Sequence, residues 1–258
     1  MEVHLQKALY HGQPSFVAII VDTTERKRAE QRALQAERLA AIGEMLAGIA
    51  HESRNALQRI QASVDVARME IGDNDQAHRD LDRIEAAREN LSILFDELRS
   101  YAAPIQIQRS DRDLAEVWRR AWSSLATERA ERVTDLVEVT NGNGLRCAID
   151  GFRVEQVFRN LMENALAACP GPVRIEIGCH EDILDGQKAL RIVVGDNGPG
   201  LSDGQRRLIF EPFFTTKTKG TGLEMTIAKR ILEAHNGVIR AGNGELGGAE
   251  FIITLPRE

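Results

Sequence analysis

The sequence predicts an α+β protein in two parts: a helical hairpin that dimerises into a four-helix bundle, then a two-layer α/β domain. Three observations predict it. First, from Glu25 the chain runs to Pro104 without a proline, and only Phe16, Phe95 and the two tyrosines supply aromatic rings up to that point. This Ala, Leu, Glu, Arg and Gln-rich composition is that of long helices. Second, apolar residues within this stretch step by threes and fours. Third, beyond Ile105 short Val/Ile runs alternate with helical patterns and Gly-rich turns, the signature of strands layered against helices.

The elements follow in order. Phe16 to Val21 is a β-branched run and reads as a strand. Asp22-Thr23-Thr24-Glu25 then offers a helix cap with an acid in the first turn. Leu39, Ile42, Leu46, Ile49, Ser53, Ala56, Ile60, Val64 and Ala67 form a seam of coiled-coil spacing, widened by Met45 and Leu57. Gly72-Asp73-Asn74-Asp75 is a tight connection. A second periodic stretch follows at Leu81, Ile84, Ala87, Leu91, Leu94 or Phe95, Leu98 and Tyr101. A lone hairpin cannot bury two broad apolar faces, whereas a pair can, so the pattern predicts a homodimer. Strands are expected near 105–109, 135–140, 145–150, 172–179, 188–196, 237–242 and 249–255. Helices are expected near 113–128, 152–168, 203–209 and 222–236.

Bulk properties exclude several classes. The 258 residues are 43% hydrophobic with a formal charge of −6 and interspersed charges, so nothing suggests a nucleic-acid or membrane-surface partner. No apolar run approaches the ~20 residues that span a bilayer, and no signal peptide is visible. Cys147, Cys169 and Cys179 lack metal-type spacing and read as core residues in a reducing cytoplasm. Trp118 and Trp122 read as helix anchors, His235-Asn236-Gly237 as a helix end, and His78 and His180 as surface residues.

Four segments carry chemistry. In Ile49 to Asn55, His51 sits in an amphipathic helix with Glu52 beside it. An imidazole can attack phosphorus when a carboxylate takes its other proton. Asn55, one turn on, shares its face and can position a water. Alone, the segment also fits a surface histidine. Asn160 and Asn164 are four apart, so their amide oxygens share one helix face and suit magnesium carrying a triphosphate; alone, the pair fits polar surface residues or caps equally well. Val193 to Leu201 runs from a strand into Asp196 and the turn glycines Gly198 and Gly200, where a carboxylate can accept from an exocyclic amine. Finally, Phe210 anchors a segment with Thr215, Thr216 and Lys217, and Gly220-Thr221-Gly222-Leu223 opens a helix. Backbone N–H groups there, with lysine and threonine, suit phosphate, and the intervening loop suits a lid.

The order of these motifs resembles the sensor histidine kinases of two-component signalling, over roughly residues 22–256. His51-Glu52 looks like their H box, Asn160 to Asn164 the N box, Asp196 to Gly200 the G1 box, Phe210 to Phe214 the F box and Gly220 to Leu223 the G2 box. The resemblance implies His51 as phosphoacceptor, Glu52 as its base and Asn55 as a phosphatase residue. It implies Asn164, helped by Asn160, on Mg2+; Asp196 on adenine, with Gly198 and Gly200 shaping that pocket; and Gly220 and Gly222 against the phosphates of ATP. It further implies a Bergerat-type ATP-binding sandwich at 104–258, a dimerisation and phosphotransfer hairpin at 39–103, a signalling helix at 23–38 and the end of a PAS sensor domain at 1–22. A response regulator receiver domain is the implied partner, and the location is cytoplasmic, with any membrane anchor lying upstream.

Two positions depart from the pattern. Ala56 stands where the family often has proline, which predicts a straighter helix. Glu224 stands where the family usually has glycine. A carboxylate in the first turn suits the helix dipole and costs little if it points to solvent; beside a triphosphate, one like-charge pair at ~5 Å and a dielectric near 20 costs about 3 kcal/mol, a weakening of ATP binding on the order of a hundredfold. The alternative to an active autokinase is therefore a nucleotide-impaired signalling scaffold or a phosphatase-leaning member of the family. A chaperone or mismatch-repair ATPase is disfavoured, since those lack a histidine hairpin and carry glutamate where Asn160 stands.

Overall fold

The computed structural model describes residues 2–10, 13–21, 23, 53–72, 74–130, 132–140, 144–217 and 220–258. The expected signalling helix from Thr24 on, the seam before Ser53, and both His51 and Glu52 lie outside the described residues.

At the N-terminus β1 (Glu2–Tyr10) pairs antiparallel with β2 (Gln13–Val21), in a register that ends at Tyr10↔Gln13. The strand expected at 16–21 is the second half of β2. The first strand escapes a reading by alternation because Lys7 interrupts the series Val3, Leu5, Leu9.

The hairpin consists of α1, described over residues 53–70, and α2 (Asp75–Ala102). Gly72 turns the chain at φ 55°, and the Asn74 side chain caps α2 by accepting from the N–H groups of Gln76 and Ala77, both at 3.1 Å. Arg54 reaches Asp96 at 2.9 Å, and Arg68 reaches Asp82 and Glu85 at 2.9 and 2.8 Å, setting the two helices in register. Leu57 and Val64 are buried between them.

The second part is built on a mixed five-stranded sheet of order β4-β6-β7-β9-β8: Thr134–Thr140, Val173–Leu184, Gln187–Asp196, Ala249–Pro256 and Val238–Asn243. β4 and β6 run parallel and the other neighbours antiparallel. Three helices, α3 (Leu114–Ser124), α5 (Gly151–Ala168) and α7 (Glu224–Ala234), share one core with the sheet, and a short α6 (Asp203–Leu208) precedes α7 in the chain. Trp118, Phe158, Met162, Ile175 and Ile192 are completely buried there, and the Trp118 and Phe158 rings meet edge to face at 5.9 Å. The architecture is the helical hairpin and α/β sandwich that the patterning predicts.

β6 runs past its expected end at 179 to Leu184, and three further boundaries differ from expectation for a local reason. Residues 105–109 are not a strand; β3 is Ser110–Asp113, paired with β5 (Arg146–Ile149). The N–H of Gln108 is taken instead by the side chain of Asp150, the N-cap of α5, at 2.9 Å. The helix expected at 113–128 breaks at Leu125 into α3 and a short α4 (Ala126–Arg129), where Ser124 Oγ donates to the Ala121 carbonyl at 2.8 Å. α7 starts at Glu224 because Gly222 has φ 71°. At its far end the left-handed residue is Asn236, at φ 59°, rather than Gly237. Gly237 is required for a different reason: a Cβ there meets Leu255 Cδ2 at 2.7 Å and the Thr254 carbonyl at 2.8 Å.

Candidate functional site

A cleft of about 520 Å³ opens where α5, the end of β7, the segment before α7 and the start of β9 meet. Its floor is Asp196, the last residue of β7. Asp196 is buried, and its Oδ1 accepts from the N–H groups of Gly198 at 2.8 Å and Ala249 at 3.1 Å. Burial pushes its carboxyl above the usual aspartate range, against the pull of those two N–H groups. No described residue donates to Oδ2. A buried carboxylate with one open oxygen fits a ligand amine, as the sequence predicts. Apolar walls complete this end of the cleft, from Leu201, Ile209, Met225 and Phe251.

The opposite end is polar. Asn164 on α5, Thr215, Thr216 and Lys217 line it together with Gly222 and Glu224. Lys217 Nζ donates to Asn164 Oδ1 at 2.5 Å, so the amide oxygen that the sequence assigns to magnesium already faces a cation. Gly222 brings this loop close: a Cβ at this position meets the Phe214 carbonyl oxygen at 2.5 Å. Apolar walls and a carboxylate at one end, with a lysine, threonines and an amide at the other, match a nucleotide's base and phosphates.

Two family models match the chain. Residues 149–258 match the histidine kinase-, DNA gyrase B- and HSP90-like ATPase family, and residues 41–104 match the His kinase A (phospho-acceptor) domain. The chain belongs to the sensor histidine kinases of two-component signalling. Among curated relatives, it is 31% identical over 250 residues to the signal transduction histidine-protein kinase AtoS of Escherichia coli (strain K12), covering 95% of this chain and 40% of that one. It is 32% identical over 240 residues to the C4-dicarboxylate transport sensor protein DctB of Rhizobium meliloti (strain 1021), covering 91% and 38%. The chain thus spans about two fifths of these relatives. The solved catalytic domain of histidine kinase ThkA matches with a TM-score of 0.52 and 32% identity, over 58% of this chain and 96% of that one. ThkA solved in complex with the response regulator protein TrrA matches with a TM-score of 0.63 and 25% identity, over 99% and 75%.

In this histidine kinase the boxes converge unequally. Asn164, Asp196, Gly200, Thr215, Thr216, Lys217 and Gly222 line the cleft, whereas Asn160, Gly198, Phe210, Gly220, Thr221 and Leu223 are not among its lining residues. Asn160 is buried and its Nδ2 donates to the Glu224 carbonyl at 2.9 Å, which fixes the start of α7 against α5. Gly198 fits over Cys169, whose Sγ lies 3.0 Å from where a Cβ would stand. Phe210 is held by Thr226 Oγ1, which donates to its carbonyl at 3.1 Å. Thr221 Oγ1 donates to Glu97 on α2, a contact between hairpin and catalytic part. Tyr101 extends that contact, its ring lying edge-on to Phe213 at 6.4 Å. Asn55 is exposed on α1.

Sequence reasoning missed Gly248. A Cβ there meets Asp196 Oδ1 at 2.2 Å and Gly198 N at 2.5 Å, so only glycine lets the β8–β9 turn close over the aspartate. The signal was the Gly247-Gly248 pair just ahead of a strand pattern. Cys147, Cys169 and Cys179 are buried core thiols, and burial pushes Cys147 and Cys179 up to about 11.

Proposed function

We propose that the chain is the autokinase core of its protein: it binds ATP in the cleft and transfers the γ-phosphoryl group to His51, from which it passes to an aspartate of a response regulator. The observation that carries this reading is the convergence of Asp196, Asn164, Lys217 and Gly222 on one cleft. Asp196 accepts from the adenine amine through Oδ2. Lys217, Thr215 and Thr216 face the phosphates, and Gly222 lets their backbone pack closely. Asn164 would hold Mg2+ once Lys217 releases its amide oxygen to face the phosphates, and the ion would supply charge neutralisation there. Asn160 acts behind it, keeping α5 and α7 together through the Glu224 carbonyl.

At the acceptor, a neutral imidazole nitrogen of His51 forms the N–P bond as the bond from γ-phosphorus to the bridging oxygen of the leaving ADP breaks. Glu52 takes the proton from the other nitrogen. Asn55, exposed on α1, is open to a docked response regulator and positions a water that hydrolyses the regulator's aspartyl phosphate to aspartate and inorganic phosphate. The functional unit is a homodimer, residues 1–22 are the end of a PAS domain, and 23–38 relay its signal.

Calorimetric titration of ATP with magnesium tests the cleft. Removing the Asp196 charge deletes a charge-assisted hydrogen bond worth about 1.5–3 kcal/mol, so Asp196→Asn binds ATP at least about tenfold more weakly. Equal affinity of parent and variant would overturn the assignment.

A further inference from the structure

Glu224, the residue that departs from the family pattern, opens α7 and lines the phosphate end of the cleft beside Asn164 and Lys217. It is half-buried. A second carboxylate stands nearby: Glu97 at the end of α2 accepts from Thr221 Oγ1, and burial, with the Glu224 charge added, pushes it up against the pull of that hydrogen bond and of Lys217. Among the described residues neither Glu97 nor Glu224 forms a salt bridge. Glu224 is thus the carboxylate that lines the phosphate end, beside Lys217, whose Nζ already donates to Asn164 Oδ1 at 2.5 Å.

A carboxylate there repels the phosphates of a bare triphosphate. It attracts a hard divalent cation, which prefers carboxylate, amide and phosphate oxygens. Among the described residues no three acidic, histidine or cysteine side chains converge to hold a metal by themselves, so the cation must bring phosphate oxygens and water as its other ligands. Resting on the nucleotide reading above, we propose that Glu224 makes the cleft selective for the divalent-metal complex of the nucleotide over the metal-free form. Glu224 is then a specificity-determining residue rather than a lesion: its repulsion falls on free nucleotide and is offset when a cation stands between carboxylate and phosphate.

The test is calorimetric titration of ATP into the parent, Glu224→Gly and Glu224→Gln, each with magnesium and with EDTA, after circular dichroism confirms the folded state. The parent should bind ATP far more tightly with magnesium. Both variants should gain metal-free affinity, on the order of a hundredfold for one like-charge contact removed. Their affinity in magnesium should change little or fall. A metal-to-EDTA ratio unchanged in both variants overturns the proposal. So does an equal gain with and without magnesium, which would make Glu224 a general repellent of nucleotide. Absence of ATP binding by the parent and both variants in magnesium overturns the nucleotide reading itself, and this proposal with it.

Discussion

His235 looks in the sequence like the polar end of a helix, yet it is buried and fully engaged. Its Nδ1 donates to the Ile231 carbonyl at 2.7 Å and its Nε2 accepts from the Asp150 N–H at 2.9 Å, so the ring is neutral. Burial holds it below the ordinary histidine range. The unfolded chain therefore binds more protons between the folded value and about 6.5. The stability His235 contributes is complete above about pH 6.5 and is lost as pH falls through that window. Thermal melts from pH 7.5 down to 5.5 should show this loss, and a His235→Leu variant should lack that part of the slope. The same variant leaves the Asp150 N–H unpaired, a cost of about 1–3 kcal/mol. An unchanged slope would contradict the assignment. The sequence could not reveal this residue, because its partner is 85 positions away. Asp196 was legible for the opposite reason: a strand, an acid and turn glycines are consecutive in the chain, although Gly248 closes over it from a distant turn.

Among the elements, periodicity located the long helices and sheet strands well, because burial of one face repeats along them. It failed at 105–109 and at Leu125, where single hydrogen bonds from Gln108 and Ser124 decide the backbone. It was also silent on how α2 meets α7. Arg230 on α7 donates to the carbonyls of Tyr101 and Ala103 at the end of α2, and its guanidinium lies 5.2 Å from the Tyr101 ring centroid. Arg230→Ala removes both hydrogen bonds and the ring contact, at a cost of about 1–3 kcal/mol to the local opening of this junction. Hydrogen exchange should quicken at residues 98–103 and stay unchanged in the central strands. Unaltered exchange at 98–103 would show that the helix end does not rest on α7 in solution.

At the scale of the molecule, the hairpin retains apolar surface that its own two helices do not cover. Ile60, Ile84 and Leu91, all on the two expected seams, are 41%, 46% and 44% exposed. They border or continue the groove between α1 and α2 that holds Ala56 and Leu81. Covering each such side chain is worth up to about 1.5–3 kcal/mol, enough in sum to drive pairing. A double variant, Ile84→Glu with Leu91→Glu, should sediment as a monomer where the parent sediments as a dimer; a parent that is monomeric would contradict the paired hairpin. The hairpin also meets the α/β part of the chain, where Thr221, just before α7, donates to Glu97 on α2.

The most direct measurement is autophosphorylation with ATP labelled at the γ-phosphate, in magnesium, comparing the parent with His51→Gln. The parent should acquire acid-labile label, and His51→Gln, folded and still binding ATP, should acquire none. Label retained by His51→Gln would place the phosphoacceptor elsewhere, and a parent that binds ATP but takes no label would contradict the autokinase reading.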